Sequence, residues 1–144
     1  MKTDHVMTNS KRLLTMLLLA ALFISAGNAQ SGKTGRGKYL TEEVAKCQDC
    51  HTQRLATGEL DRRAWLKGAT MELSSKDPSG RSSVPVPDIT SGGALWPRWG
   101  EKGMLRFLET GTNPDGVAAG APMPAYKLRR DDAEAIVAYL KSLR

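Results

Sequence analysis

The chain has 144 residues, 40% of them hydrophobic and 25% charged, with 21 Lys and Arg against 15 Asp and Glu for a formal charge of +6; that is room for one domain. Two cysteines and two histidines exclude a disulfide scaffold, a two-cluster zinc module and a hydrolase assembled from many catalytic groups. Few aromatic residues and a modest apolar fraction also leave a thin core for a domain of this size.

Residues 1–12 are polar and net basic, Leu13 to Ala26 is an apolar run rich in Leu, and Gly27-Asn28-Ala29 supplies small residues two apart. This is the three-part layout of a secretory signal peptide over residues 1–29, with cleavage expected near Ala29. The apolar run is shorter than the ~20 residues a helix needs to cross a bilayer, so no permanent membrane anchor is expected. The mature chain is therefore expected to be soluble and periplasmic. Without residues 1–29 it keeps 18 basic and 14 acidic residues, a balance of +4, and His51 is its one histidine.

Residues 30–36 read as a flexible lead-in, and residues 37–144 as the folded domain. Leu40 and Val44 at i and i+4, with Glu42 and Glu43 early, predict a first helix running into Cys47. Ser74 to Gly100 contains four Pro, four Gly and six Ser and shows no convincing strand alternation, so it is expected to be irregular. A loop that long fits a compact domain only when it folds over something that is not protein. Glu101 to Thr110 is helical in pattern through Met104, Leu105 and Leu108, with Gly111 as its stop. Asn113-Pro114-Asp115-Gly116 reads as a turn. Asp131 to Leu143 places Ala133, Ile136, Val137 and Leu140 on one buried helical face, with acids early and Lys141 and Arg144 late.

Both cysteines and the remaining histidine fall together in Cys47-Gln48-Asp49-Cys50-His51. C-x-x-C-H is the attachment sequence of c-type haem. Two thiols one helical turn apart can each add to a vinyl group of one porphyrin edge, while the next residue brings its imidazole to the iron. A thioredoxin-like pair would need a strand ahead of the motif and a βαβ surround. A disulfide between Cys47 and Cys50 would close too small a loop to stabilise much, and a zinc ion would lack a fourth Cys or His. The pattern predicts one covalently attached haem c with His51 as an iron ligand.

The second axial ligand follows by elimination, with Met71, Met104, Met123, a lysine or an open position as candidates. Met104 occupies a helical core position, and Met71 lies close behind His51, placed to pack over the porphyrin edge. Met123 sits in Ala121-Pro122-Met123-Pro124, where two prolines stiffen the loop and fix where the thioether points. Met123 is the expected partner of His51. The rival is that Met123 only covers a five-coordinate iron.

With these motifs in place, the sequence resembles single-haem class I cytochromes c, and most closely the cytochrome modules of bacterial alcohol and nicotinate dehydrogenase complexes. The resemblance runs from Gly37 to Leu143. It rests on Gly37-Lys38-Tyr39-Leu40 before the attachment motif, Pro87-Asp88-Ile89-Thr90, Trp99 opening a helix that ends in Glu109-Thr110-Gly111, and Pro122-Met123-Pro124-Ala125-Tyr126. Ala135-Ile136-Val137-Ala138-Tyr139-Leu140 completes it. It implies an all-α class I cytochrome c fold, helices and irregular loops wrapped around one covalently attached haem. It also implies that the first and last helices cross, with Gly37 against Tyr139. Such modules often come in threes with a membrane tail, and a three-haem wire is not expected here. Many relatives hold the histidine's other N–H on a proline carbonyl shortly after the motif; the first proline after His51 is Pro78, so some other carbonyl is expected to do so. Arg129 stands where a Ser or Thr cap is usual, so capping is expected from Asp131.

The expected function is one-electron carriage between a dehydrogenase or respiratory donor and a terminal acceptor, because a His/Met pair fills both axial positions and raises the potential. The chain itself is not expected to be an enzyme; the rival is a haem enzyme or gas-binding protein with an open sixth position. Trp96, Trp99, Arg98 and Tyr126 are candidates to reach the haem propionates. Lys38, Lys46, Arg54, Arg62, Arg63 and Lys67 flank the motif as a basic rim suited to an acidic redox partner protein. Nucleic acid is not an expected partner.

Overall fold

In the computed structural model of the chain, residues 31–74 and 81–144 are described. The expected signal peptide therefore lies outside them. Residues 31–39 are helical (α1), so the stretch read as a lead-in enters a helix, and α1 passes into a π turn at Leu40–Val44. A one-turn helix, α2, spans Gln48–His51, and a 3-10 turn spans Arg62–Ala64. Strands β1 (Ala69–Ser74) and β2 (Arg81–Val86) follow, then α3 (Leu95–Thr110) and α4 (Arg130–Ser142). Of the two units into which the chain divides, the second, Thr34–Arg144, carries every element after α1.

Its core is where the apolar periodicity put it. Ala133, Ile136, Val137 and Leu140 of α4 are buried against Met104, Leu105 and Leu108 of α3, with Leu66 and Ile89 filling in from the loops. Each fully buried Leu, Ile or Val contributes about 1.5–3 kcal/mol. At Gly100 the backbone of α3 leaves helical geometry (φ 63°, ψ 179°), so Leu95–Trp99 and residues 101–110 are two helical pieces. That break explains why the helical pattern is readable only from Glu101. Gly111 ends α3 in the left-handed region (φ 71°), its N–H donating to the Phe107 carbonyl at 2.8 Å. The N-cap of α4 is Arg129, which makes no side-chain capping bond. Asp131 does not cap it either; with Asp132 it lies inside the first turn, where negative charge suits the helix dipole.

The expected crossing of first and last helices is present. Gly37 is buried, and a Cβ built on it would lie 1.9 Å from the Ala135 carbonyl oxygen and 2.8 Å from Tyr139 Cβ. Only hydrogen fits there.

The expectation of an irregular stretch from Ser74 to Gly100 is corrected. Arg81–Val86 pairs antiparallel with Ala69–Ser74, from Ala69 opposite Val86 to Ser74 opposite Arg81. The fold is mainly helical with this one two-stranded hairpin added among the described residues. In a pair of strands each has a free edge, which is where a ladder tolerates Pro85.

Candidate haem-attachment site

The attachment motif is folded by local bonds. The Cys47 N–H donates to the Thr41 carbonyl at 3.0 Å, the His51 N–H to the Cys47 carbonyl at 2.9 Å, and the Gly68 N–H to the His51 carbonyl at 2.8 Å. Gln48 turns inward and donates through Nε2 to the Glu42 carbonyl at 2.9 Å. One helical turn separates the two free thiols, Cys47 half-buried and Cys50 exposed. Burial pushes the Cys47 thiol up to about 11. That is the opposite of the lowered pKa that activates a cysteine as an attacking thiolate.

His51 is buried, and its Nδ1 lies 2.8 Å from the Pro87 carbonyl oxygen. A carbonyl only accepts, so Nδ1 carries the proton and Nε2 keeps a lone pair suited to a metal. Burial lowers the imidazole's pKa against the opposing pull of this bond, which keeps the ring neutral. The acceptor is a proline carbonyl after all. It comes not from Pro78 but from Pro87, at the end of the hairpin.

His51, both cysteines and Met123 line one cavity of about 590 Å³, the size range of cofactor pockets. Its apolar walls come from α3 (Trp99, Met104, Phe107), α4 (Ile136, Leu140) and the hairpin (Met71, Val84, Val86). All three candidate methionines therefore face the same space. Met104 is 5% exposed within the core, Met71 is held in register opposite Val84, and Met123 stands on the loop between two prolines.

The four propionate candidates separate. Trp96 Nε1 is taken by the Ile89 carbonyl (3.1 Å), Arg98 by Asp115 (2.8 Å) and the Tyr126 hydroxyl by the Ala45 carbonyl (3.2 Å). Trp99 Nε1 alone of these is buried without a partner. An idle indole N–H beside an apolar cavity with two thiols and a neutral imidazole fits a group that carries vinyls, a metal and carboxylates.

Three of the six residues of the basic rim are paired with acids. Lys38 pairs with Glu42, Lys46 with Glu43 (3.1 Å) and Arg63 with Asp61 (3.1 Å), while Arg62 lies 4.2 Å above the Trp65 ring. Glu42, read only as a helix-start acid, is the hub of this region. It is buried, accepts from Trp65 Nε1 at 2.9 Å and from the Tyr139 hydroxyl, and pairs with Lys38. Burial would raise its pKa, but these donors outweigh burial and hold the carboxylate below its ordinary range. Nothing local in the sequence could mark it, because Trp65 and Tyr139 arrive from 23 and 97 residues away.

Residues 34–144 match the family described as Cytochrome c. The chain is 33% identical over 111 residues to a diheme cytochrome c-type protein of Cereibacter sphaeroides, covering 74% of this chain and 34% of that one. It is 31% identical over 113 residues to the fructose dehydrogenase cytochrome subunit of Gluconobacter japonicus, covering 75% and 21%. The gluconate 2-dehydrogenase cytochrome c subunit of Pantoea cypripedii is 32% identical over 119 residues, covering 75% and 25%. The chain thus spans about a third or less of the length of these relatives. It belongs to the cytochrome c family, a family of electron-transfer domains that carry covalently attached c-type haem.

Proposed function

We propose that the chain is an exported, periplasmic one-electron carrier with one haem c, attached through Cys47 and Cys50 and ligated by His51 and Met123. It passes electrons from a dehydrogenase or respiratory donor towards a terminal acceptor. The observation that carries this reading is the meeting of His51, Met123 and both thiols in one apolar cavity. Met104 has a sufficient role in the core and Met71 in the hairpin, which leaves Met123 as the thioether with no other task. Export rests on the layout of residues 1–29, and a dehydrogenase donor on the relatives named as dehydrogenase cytochrome subunits.

The bound haem supplies a reversible one-electron couple. The chain's residues set its surroundings. His51 offers Nε2 because Pro87 holds Nδ1–H, the α3 and α4 side chains exclude water, and Trp99 offers a buried N–H suited to a carboxylate. The test is absorbance and redox titration of the purified holoprotein beside Met123→Ala and Met104→Ala. Met123→Ala is expected to alter the spectrum, lower the potential and open the iron to carbon monoxide. Ready uptake of carbon monoxide by the unaltered protein, or no effect of Met123→Ala, sinks the reading. The same loss in Met104→Ala alone reassigns the ligand.

A further inference from the structure

The loop carrying Met123 is anchored at both ends. Asn113 exchanges two bonds with Val117 (2.9 and 2.8 Å), the Ala119 N–H donates to the Gly111 carbonyl at 2.8 Å, and the Leu128 N–H donates to the Leu108 carbonyl at 3.0 Å. Between those anchors the backbone bonds stay inside the loop, from the Met123 N–H to the Gly120 carbonyl and from the Tyr126 N–H to the Pro124 carbonyl. One side-chain bond among the described residues reaches out of this loop to the attachment segment. The Tyr126 hydroxyl donates to the Ala45 carbonyl at 3.2 Å, joining positions 81 apart. Ala45 stands two residues before Cys47, and it lines the cavity together with Tyr126. Burial raises the phenol's pKa, so the donor keeps its proton through the neutral range.

We propose that Tyr126 is a positioning residue whose hydroxyl latches the Met123 loop to the attachment segment and so keeps Met123 over the cavity. The latching stands on the geometry; its effect on the iron rests on Met123 being a ligand. The bond is long for a hydroxyl donor, so the latch is modest, and its loss opens the loop about five-fold, the ratio one net hydrogen bond sustains.

The test is Tyr126→Phe in the holoprotein, which keeps the ring and removes the hydroxyl, read beside unaltered protein and Met123→Ala. Amide hydrogen exchange at residues 120–125 is expected to rise about five-fold with α4 unchanged. Apparent carbon monoxide affinity of the reduced protein is expected to rise by a similar factor, towards that of Met123→Ala. Unchanged exchange at 120–125, or a uniform rise that includes α4, overturns the latch. A local rise in exchange with carbon monoxide uptake unchanged in Tyr126→Phe but raised in Met123→Ala overturns the positioning role. A local rise with uptake unchanged in both variants upholds the latch and sinks Met123 ligation instead.

Discussion

Nδ1 of His51 lies 2.8 Å from the carbonyl oxygen of Pro87, which ties the attachment helix to the far end of the β hairpin. The hairpin is thereby part of the site. It delivers the acceptor that sets which imidazole nitrogen is free, and its inner face closes the cavity with Met71, Val84 and Val86. The two strands, β1 with apolar residues alternating at Ala69, Met71 and Leu73 and β2 paired along it, return the chain to His51.

Gly68, whose N–H donates to the His51 carbonyl, is the point where this arrangement can be disturbed without substituting either partner. Its φ of 88° disfavours any side chain, and a Cβ there would lie 2.7 Å from the Val86 carbonyl oxygen and 2.9 Å from the Asp88 nitrogen, on either side of Pro87. Gly68→Ala is expected to cost more than about 1 kcal/mol in guanidinium unfolding. It also pushes the Pro87 carbonyl off the ring. A ligand imidazole that loses this acceptor is a poorer donor, which disfavours oxidised iron, so the reduction potential of the holoprotein is expected to rise. A potential unchanged in a destabilised variant would separate the hairpin from the tuning of His51.

What the sequence made legible was local or periodic. The attachment residues lie within one turn, α4 shows its buried face at positions 133, 136, 137 and 140, and Gly111 marks the end of α3. What escaped depends on partners far along the chain. Strand β2 reads Arg-Ser-Ser-Val-Pro-Val, its alternation confined to Val84 and Val86 with a proline between them, and is marked as a strand by its pairing with β1. Pro87 acts through its backbone, which no side-chain pattern reveals. Trp99 could be named as a propionate candidate, but only the bonds taken up by Trp96, Arg98 and Tyr126 separate it from the others.

Glu42 makes acid stability testable. Its folded pKa is held below the ordinary value of 4.5, so its contribution is present above that value and is lost as pH falls through the depressed one. Glu42→Gln cannot carry the charge that Lys38, Tyr139 and Trp65 all serve. It is expected to cost about 1–3 kcal/mol at neutral pH, with the gap to the unaltered protein closing in acid. Unfolding curves at neutral and acid pH check this. A gap that stays constant would mean the carboxylate's charge is irrelevant and only its shape matters.

Gly37 tests the helix crossing. Ala favours a helix over Gly by about 1 kcal/mol, so an exposed Gly37 would make Gly37→Ala stabilising. Here the added methyl meets the Ala135 carbonyl at 1.9 Å, and backbone cannot swing aside as a side-chain tip can. Overpacking costs about 1–3 kcal/mol. The expected net result is a lower unfolding midpoint, and the loss should grow in Gly37→Val. A raised midpoint would show that α1 and α4 do not touch at this residue in solution.

The indole of Trp99 tests the cofactor's acidic groups from the protein side. Its N–H is buried without a protein partner, while its ring lies 5.3 Å from that of Phe107. Trp99→Phe retains an aromatic ring and removes the donor. Were the N–H idle in the mature protein, its removal would relieve a burial cost of about 1–3 kcal/mol and leave stability equal or higher. With a propionate as its acceptor, the substitution strands an anion instead, and the holoprotein is expected to lose stability. The sign of the stability change therefore decides between an idle and an occupied donor. The potential adds a second readout. A carboxylate stripped of its hydrogen bond concentrates its negative charge near the iron and favours the oxidised form, so the potential is expected to fall with the stability. A more stable variant with an unchanged potential would assign Trp99 to packing alone.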